Sequence, residues 1–420
     1  MDKKKLLIYA HYYAPDVAST GQILQELAEG MKDAFDITVI CVVPSYTGKI
    51  EDKYKAKRFY IENLNGIRLI RIRVPEFSKS NKKSRIKNIL AYYYGAKAAT
   101  RKLEHFDYVF SISQPPILGG MLGVYGKKIK KAKFIYNIQD FNPEQIMAVN
   151  YVSNPFILKM VMALDKRSCR KSDLIITVGR DLVETVKKRF LNEKVPNTVL
   201  INNWIDEKSI YPLPESNTKV QEFKKRYGLS DKFVIMYSGN IGLYYDLPNL
   251  IKVIEKFKNA KSYDGRDVAF AFVGDGSKKA ELQKYAEENN MNNVCFIPYQ
   301  PKEELIYSLN AADVHWCVSA AGIKGVSCPS KAYGIMAVGK PILGIMEKGS
   351  EIRCIVEEAN GGICCEPGQY DIVEKNIQWA LDNAGRDTLR AMGISAHKYL
   401  VKKLSKTVSD NKYKKAIMDT

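Results

Sequence analysis

The sequence lacks the residue clusters that structural metal sites use. It has only four histidines, and none of its eight cysteines forms a Cys-x-x-Cys pair. Structural zinc sites need closely spaced thiolates and imidazoles, so we expect no bound metal. Most of the cysteines fall inside apolar runs, where a reduced thiol packs as a small hydrophobic group. This distribution fits a reducing cytoplasm.

Long hydrophobic runs are also missing. No stretch of the sequence approaches the roughly 18 apolar residues that cross a bilayer. The apolar run Leu6–Ala10, behind a basic start, is too short for a signal peptide and predicts a strand. We therefore expect a cytoplasmic protein whose contact with a membrane is peripheral, at the inner face of the cell membrane.

Acidic residues are outnumbered, with 46 Asp and Glu against 65 Lys and Arg, for a formal net charge of +19. Such a surface favours polyanions, namely nucleic acid, anionic lipid or phosphorylated substrates, although a lysine-rich surface also serves solubility alone. The excess is densest from Arg71 to Lys102, where Glu76 is the one acidic residue among ten basic ones. The segment therefore marks a candidate surface for an anionic partner.

Apolar residues within this basic segment, among them Ile86, Leu90 and Tyr93, fall near helical spacing. A basic amphipathic helix with interfacial aromatics suits a lipid surface. Nucleic acid and a solvated helix face packed on its sheet are the alternatives. The candidate membrane or acceptor residues are Lys82, Lys83, Arg85 and Lys87.

Short apolar runs rich in Ile, Val and Tyr alternate with helical patterns along the chain. The predicted strands are KLLIYA, DITVICVV, IRLIRIRV, YVFSIS, KFIYNI, DLIITV and NTVLIN in the first half, and KFVIMYSG, VAFAFVG, NVCFIPY, DVHWCVS and KPILGI in the second. This alternation implies parallel sheets covered on both faces. The 420 residues are too many for one compact core.

We therefore predict an α/β protein with two Rossmann-like doubly wound domains that face a cleft. The segment Ile205–Val220, which contains two prolines, is the best linker. The predicted domains are residues 1–205, which bind the acceptor, and 206–395, which bind the donor. A C-terminal helix over 396–420 is expected to cross back to the first domain.

Two motifs in the first half lie where parallel sheets bind ligands, beyond the carboxyl ends of strands. Gly21, after the first strand, would let the backbone and a helix N-terminus approach an anion, or it belongs to a plain connecting loop. Asp140 follows the strand KFIYNI. It would bind an acceptor hydroxyl, act as a base, or only cap the next turn.

Three motifs in the second half follow strands in the same way. Gly239 and Asn240 follow VIMYS, and Gly274, Asp275 and Gly276 follow AFAFV. Ser330 and Lys331 follow Pro329 at a predicted helix start, where a hydroxyl, free N–H groups and a lysine would cradle a diphosphate. The alternatives are tight turns without ligand, a capping role for Ser330 and a solvated Lys331.

Taken in this order, the motifs resemble glycosyltransferase family 4, a family of retaining GT-B enzymes. The similarity is closest to the bacterial surface-polysaccharide branch with its WbuB-like and colanic-acid-type transferases. The motifs that carry it are Y-A-P-D-x-A-S-T-G-Q, S-x-S-Q-P-P-I-L-G-G, Q-D-F-N-P, S-D-L-I-I-T-V, I-N-N-W-I-D, Y-S-G-N-I-G, F-V-G-D-G, A-A-D and G-V-S-x-P-S-K-x-Y-G-I-M-A-x-G-K-P.

The resemblance implies roles for matching positions. Asp140 and Lys331 would be catalytic, and Gln114 would lie on the acceptor side. The donor would be held by Gly21, Gly239, Asn240, Gly274, Asp275, Gly276, Pro298, Ser330, Tyr333 and Glu351.

The sequence departs from the family at the Glu-x7-Glu motif, where Val326 and Gly334 stand in place of the two glutamates. Gln139 also replaces a histidine that often precedes the aspartate at position 140. Lys331 therefore becomes the leading candidate for neutralising the diphosphate. The sequence has no Asp-x-Asp pair, and GT-B enzymes usually need no metal.

The function predicted from the resemblance is a retaining glycosyltransferase of the hexosyl or N-acetylhexosaminyl type. It would move a sugar from a UDP-sugar to a polyprenyl-diphosphate-linked saccharide in O-antigen or capsule synthesis, against an anionic membrane, with no bound cofactor. The alternatives are a GT-B UDP-sugar epimerase and a basic nucleic-acid-binding protein. No RNA-binding motif occurs, so a nucleic-acid partner is not expected.

Overall fold

The computed structural model describes residues 3–16, 18–78, 81–148 and 154–420. These residues form two compact units. The first unit contains the chain up to Val178, then Leu182–Ile201 and Ser409–Thr420, and the second contains Gly179–Asp181 and Asn202–Val408. Each unit is an α/β layer structure around its own sheet, as the sequence predicts.

The first unit is built on an eight-stranded sheet with the order β3-β4-β2-β1-β5-β6-β7-β8. The strands are β1 (Lys4–Tyr9), β2 (Phe35–Val42), β3 (Phe59–Leu64), β4 (Ile67–Ile72), β5 (Tyr108–Ile112), β6 (Lys133–Ile138), β7 (Leu174–Thr177) and β8 (Thr198–Leu200). β3 pairs antiparallel with β4, and the remaining neighbours are parallel. The successive residues Leu6, Leu7 and Ile8 are fully buried, as expected for a strand covered on both faces.

The second unit carries a six-stranded parallel sheet with the order β11-β10-β9-β12-β13-β14. The strands are β9 (Lys232–Ser238), β10 (Asp267–Val273), β11 (Val294–Ile297), β12 (Val314–Val318), β13 (Ile342–Ile345) and β14 (Gly362–Cys365). The strands and the helices that cover them enclose cores of aliphatic and aromatic side chains.

Helices connect the strands in both units. Up to residue 201 they are α1 (Ser19–Met31), α2 (Lys82–Lys102), α3 (Leu118–Lys130), α4 (Glu144–Ala148), α5 (Pro155–Lys171) and α6 (Arg180–Arg189). The later helices are α7 (Thr218–Arg226), α8 (Leu247–Ile254), α9 (Lys279–Glu288), α10 (Leu305–Asn310), α11 (Lys331–Ala337), α12 (Glu351–Glu358), α13 (Tyr370–Asp382), α14 (Asp387–Lys403) and α15 (Lys406–Met418). Single 3₁₀ turns lie at Asp52–Tyr54, Leu243–Tyr245, Glu255–Phe257 and Lys302–Glu304. No helix in the described ranges is long and apolar enough to cross a bilayer.

The C-terminal segment differs in detail from the single helix predicted over 396–420. Two helices, α14 and α15, cover it, with a break at Leu404 and Ser405. From Ser409 onward the chain belongs to the first unit. There the buried hydroxyl of Tyr413 accepts a hydrogen bond from Asn137 Nδ2 at 2.8 Å.

The segment Ile205–Val220, predicted as a linker, is instead tied to the second unit. Asn310 at the end of α10 accepts a hydrogen bond from the Leu213 amide at 2.9 Å and donates one to the Tyr211 carbonyl at 3.0 Å. Proline content indicated an irregular segment correctly. It did not reveal the hydrogen bonds that Asn310 makes with this segment.

Candidate functional site

Both sheets have one point at which the strand order reverses, and ligands of doubly wound sheets bind beyond the carboxyl ends of the strands at such a point. In the first unit the reversal lies between β1 and β5, and in the second it lies between β9 and β12. The loops that follow these four strands are therefore the places to look for functional groups in each unit.

In the second unit, Lys331 lies against the loop that follows β9. Its side chain passes so close to Gly239 that a Cβ at position 239 would collide with the lysine stem. Gly239 has φ of 140°, a conformation that side chains rarely adopt. The Lys331 ammonium lies 3.4 Å from the centre of the Tyr245 ring, a cation–π contact. Burial lowers the pKa of Lys331 to about 8, so the lysine is mostly charged at neutral pH.

The loop that carries Gly239 is held by backbone contacts to the loop after β10. The Gly239 amide donates to the Val273 carbonyl and the Ile241 amide to the Asp275 carbonyl, both at 2.8 Å. A Cβ at Gly274 would collide with the Gly239 carbonyl. The backbone of Gly274, Asp275 and Gly276 thus supports the Gly239 loop, and the predicted donor role of these three residues stays a prediction. Asn240, by contrast, is exposed beside Gly239.

The close packing of Gly274 against the Gly239 carbonyl can be tested by a measurement of stability. Gly274→Ala is expected to lower the free energy of unfolding by about 3 kcal/mol, because an alanine at φ of 137° is strained and its Cβ collides with a backbone carbonyl. The control is Gly265→Ala, where φ is 85° but nothing lies within 4 Å. Strain alone costs about 1–2 kcal/mol there. Equal losses in urea unfolding of the two variants would refute the packing argument.

The start of α11 is partly as predicted. Ser330 is exposed and makes no side-chain capping hydrogen bond, so the interpretation of Ser330 as a cap is wrong. Tyr333, predicted to bind the donor, is instead buried in the core with Ile335 and Met336. Side chains that are two positions apart in a helix point to nearly opposite sides. Tyr333 therefore faces the core, because Lys331 faces the Gly239 loop.

Glu351, also predicted to bind the donor, is a buried structural carboxylate. It accepts hydrogen bonds from the Arg180 amide at 2.7 Å, from Arg180 Nε at 2.8 Å and from Asn202 Nδ2 at 2.8 Å. Hydrogen bonds to Glu351 and Glu358 raise the pKa of Arg180. Because these contacts take up the carboxylate of Glu351, a ligand role for it is corrected.

Pro298 follows β11, the edge strand, which lies two strands away from β9. It is exposed next to an exposed Tyr299, and its carbonyl accepts a hydrogen bond from Gln300 Nε2 at 2.7 Å. The predicted contact with the donor base stays a prediction.

In the first unit, a pocket of about 160 Å³ lies where the strand order reverses. Residues from the loops after β1 and β5 and from α2 line it, namely His11, Tyr12, Arg85, Asn88, Ile89 and Gln114. Two of these, Gln114 and Arg85, are residues that the sequence pointed to. Burial lowers the pKa of His11 to about 4. His11 was not among the predicted site residues, since a single histidine at a strand end is no signal by itself.

Gly21 does not lie in the loop after β1 but within α1, where it is buried. A Cβ on Gly21 would lie 2.9 Å from the Tyr12 carbonyl oxygen. The predicted position of Gly21 in the loop is therefore wrong, because it lies in the first turn of α1 and admits the backbone of Tyr12. Its predicted approach to the donor stays a prediction. Asp140 follows β6, is half-buried, and its amide donates to Ser113 Oγ at 3.4 Å.

The basic segment divides into a buried and an exposed part. Arg71 lies inside the first unit, where it donates to Glu62 and to the Ala14 carbonyl, both at 2.6 Å. Counting it as a surface cation was wrong. Lys82, Lys83, Arg85 and Lys87 are exposed on α2, and Lys79 lies outside the described residues.

Large apolar side chains stand beside these cations on the outer face of α2. Ile86 is 56%, Leu90 40% and Tyr94 61% exposed. Their spacing of four residues places them along one side of the helix, and Lys82, Lys83 and Lys87 flank the same side. We call this stripe of three apolar residues and three lysines the α2 surface.

Comparison with known proteins supports a sugar-transfer function. Residues 219–399 match the family described as Glycosyl transferases group 1. WbjE of Pseudomonas aeruginosa, named as a glycosyltransferase, is 29% identical over 304 residues, which cover 70% of this chain and 71% of WbjE. WcaI of Escherichia coli K12, named for colanic acid biosynthesis, is 24% identical over 394 residues, or 90% of this chain and 92% of WcaI.

The fold is also similar to solved structures that cover nearly all of the chain. Sucrose-phosphate synthase from Thermosynechococcus elongatus gives a TM-score of 0.76 at 15% identity and covers 99% of both chains. HepE from Anabaena, solved in complex with UDP, gives a TM-score of 0.70 at 13% identity, covering 99% of this chain and 100% of HepE. Residues 219–399 are thus a group 1 glycosyltransferase domain, and the chain is a glycosyltransferase with the GT-B fold.

Proposed function

We propose that the protein transfers a sugar from a UDP-sugar, with retention of configuration, to a lipid-linked saccharide during synthesis of a surface polysaccharide, as expected of family 4. The observation that carries the donor side is Lys331 lying across Gly239 at the reversal of the second sheet. HepE, which shares the fold, has been solved with UDP and with UDP-glucose. The name of WcaI supports the polysaccharide pathway.

The chemistry follows from the charge that develops when the diphosphate leaves. A fixed cation at the leaving group stabilises that charge without reorganising during the reaction. Lys331 is such a cation, because the aromatic rings of Tyr237 and Tyr245 and the stem's contact with Gly239 limit its positions. The bond between the anomeric carbon and the diphosphate oxygen breaks, and the acceptor hydroxyl attacks from the face that the diphosphate leaves, which retains the configuration. The proton of that hydroxyl passes to the departing phosphate oxygen, and Asp140 orients the hydroxyl.

The acceptor side of the proposal rests on the α2 surface. Cations beside exposed apolar side chains suit an anionic lipid headgroup region, where each basic residue contributes about 1 kcal/mol. An enzyme held there meets acceptors that carry a polyprenyl diphosphate. The protein would then work at the inner face of the cell membrane without crossing it.

The donor is tested by thermal unfolding of the full chain with UDP-, GDP-, ADP- and dTDP-sugars. A ligand that binds only the folded state stabilises it by about 2.7 kcal/mol at a hundredfold excess over its Kd. We expect a UDP-sugar to raise Tm most. If no nucleotide sugar raises Tm, the proposal fails. If the sugar is altered while it stays on UDP, the protein is an epimerase.

A further inference from the structure

Arg189, the last residue of α6, is a buried cation of the first unit. Its side chain is only 4% exposed. The guanidinium Nε donates to Glu144 Oε1 at 2.7 Å, and one terminal nitrogen donates to Asp165 Oδ2 at 2.5 Å. The other terminal nitrogen donates to the Asn142 carbonyl at 2.9 Å and to the second oxygen of Glu144. Each nitrogen of the guanidinium therefore has an acceptor, as a buried charge requires.

These contacts fall on the short segment that directly follows Asp140. Glu144 begins α4, and Asn142 lies two residues before it. The ring of Phe141, which is fully buried, has its centre 4.3 Å from the Arg189 guanidinium, a cation–π contact. One side chain thus holds a ring, a backbone carbonyl and a carboxylate within the segment that follows Asp140.

Arg189 is in turn fixed to the core through Asp165 on α5. The Asp165 side chain is also 4% exposed, and its Oδ1 accepts a hydrogen bond from Tyr136 Oη at 2.8 Å. Tyr136 is buried on β6, the strand that leads to Asp140. Burial alone would lower the pKa of Arg189, but the hydrogen bond to Glu144 and the charge of Asp165 raise it, so the guanidinium stays charged. The network therefore ties the segment after Asp140 to the strand before it.

Asp140 is held on its other side by Ser113, which follows β5 at the reversal of the first sheet. The Gln139 amide donates to Ser113 Oγ at 3.1 Å, and the Asp140 amide donates to it at 3.4 Å. The backbone at Asp140, which is half-buried, thus lies between two anchors. A group that must meet a reacting atom needs such support, since a misplacement of about 1 Å costs up to roughly 10² in rate.

Stability alone does not account for an ion network in this place. Well-packed apolar residues of similar volume often stabilise a protein as much as a buried ion pair does. The planar fork of an arginine adds directed hydrogen bonds, which an apolar side chain cannot make. These bonds fix the segment that sets the position of Asp140, so the network is placed for a role in the reaction.

We propose that Arg189 is a positioning residue for sugar transfer: it holds segment 141–144 in place, and this segment presents Asp140 to the attacking hydroxyl. The inference rests on the proposed function, in which Asp140 orients that hydroxyl. It gives the buried network a measurable consequence for the rate, and it leaves the donor diphosphate to Lys331 in the second unit.

The first measurement is hydrogen–deuterium exchange over residues 139–148 of the full chain. Arg189→Lys keeps a positive charge between the two carboxylates, so the chain should fold, but an ammonium lacks the planar fork. Exchange in this segment is expected to become roughly tenfold faster. The matched control is Arg71→Lys, which alters a similarly buried arginine of the same unit and should leave the exchange of this segment unchanged.

The second measurement is a double-mutant cycle with Asp140→Asn. The rate is that of UDP release from UDP-glucose, UDP-galactose or UDP-N-acetylglucosamine with water as the acceptor, since Asp140 orients the attacking oxygen in hydrolysis as in transfer. In the wild-type background, Arg189→Lys is expected to lower kcat roughly 10- to 100-fold and to leave the donor KM unchanged. In the Asp140→Asn background it should lower kcat by less than about twofold, because the residue through which it acts is already removed.

Two results would overturn the proposal. One is exchange over residues 139–148 that is the same in Arg189→Lys and the wild type. The other is a loss of rate that multiplies with that of Asp140→Asn, which would mean that Arg189 only stabilises the fold. If Arg189→Lys does not fold, Glu144→Gln weakens the same contact and is expected to show the same lack of additivity with a smaller loss. Failure of every UDP-sugar to raise the Tm of the wild type would instead refute the proposed function.

Discussion

Lys331→Met is expected to lower kcat/KM for sugar transfer by roughly 10²–10³, the usual loss when one preorganised charge stabiliser is removed. Methionine keeps the apolar stem beside Gly239 and Tyr245 and removes only the ammonium. Folding should therefore survive. The loss should fall mainly on kcat, because the charge on the departing diphosphate grows toward the transition state.

The matched control is Lys340→Met in the same unit. Burial also lowers the pKa of Lys340, but its side chain is not placed at the Gly239 loop. Both substitutions remove a buried ammonium, so any general effect of charge loss is shared. Equal values of kcat/KM for the two variants would show that Lys331 has no special role. The proposal that it stabilises the departing diphosphate would then be refuted.

The same lysine should make stability and donor binding depend on pH in opposite directions. Its pKa falls from 10.5 to about 8 on folding, so between pH 8 and 10.5 the unfolded chain binds more protons. Wild-type stability should rise with pH in this window, relative to Lys331→Met. UDP affinity should fall as pH rises above 8, because the diphosphate prefers the charged lysine. Calorimetry at pH 7 and pH 9 would measure both, and a UDP affinity independent of pH would contradict the contact.

The sheets could be predicted from the sequence because most of their strands are short apolar runs rich in Ile, Val and Tyr. All twelve predicted runs are strands, whereas β3 and β14 were missed. β3 reads FYIENL, with polar residues at an edge position, and β14 reads GICC, which is short and begins with glycine. Edge strands bury one face or less, so their composition carries a weak signal.

The candidate site could be predicted only where the order of strands along the chain determines which loops are neighbours in the sheet. The ends of β9 and β12 adjoin in any sheet of this order, and this is why Gly239 and the segment before Lys331 come together. Glu351 was misassigned because its partner Arg180 lies 171 residues away in the chain. Arg71 was misassigned for a similar reason, since its acceptors on Glu62 and Ala14 appear only when β3 and the loop after β1 are in place.

Charge reversal of the α2 surface is expected to abolish binding to anionic vesicles. The variant carries Lys82, Lys83 and Lys87 changed to Glu, and Arg85 is kept because it lines the pocket. Each basic residue near such a membrane is worth about 1 kcal/mol, so three reversals should cost roughly 3–6 kcal/mol, or 10² to 10⁴ in partition coefficient. Acidic residues in the first turn of a helix favour the helix, so α2 should still form.

Co-sedimentation with phosphatidylcholine vesicles, with and without phosphatidylglycerol, measures this loss. The control carries the same charge change in the second unit, with the exposed residues Lys225, Lys252 and Lys284 changed to Glu, and should bind like the wild type.

A second variant with Ile86, Leu90 and Tyr94 changed to Ser should bind both vesicle types less, because apolar burial does not depend on lipid charge. The charge-reversed variant should differ from wild type only where phosphatidylglycerol is present, and progressively less at higher salt as the charges are screened. Equal binding of the charge-reversed variant and the wild type to anionic vesicles would remove the membrane from the proposal, and the acceptor would then have to be a soluble saccharide.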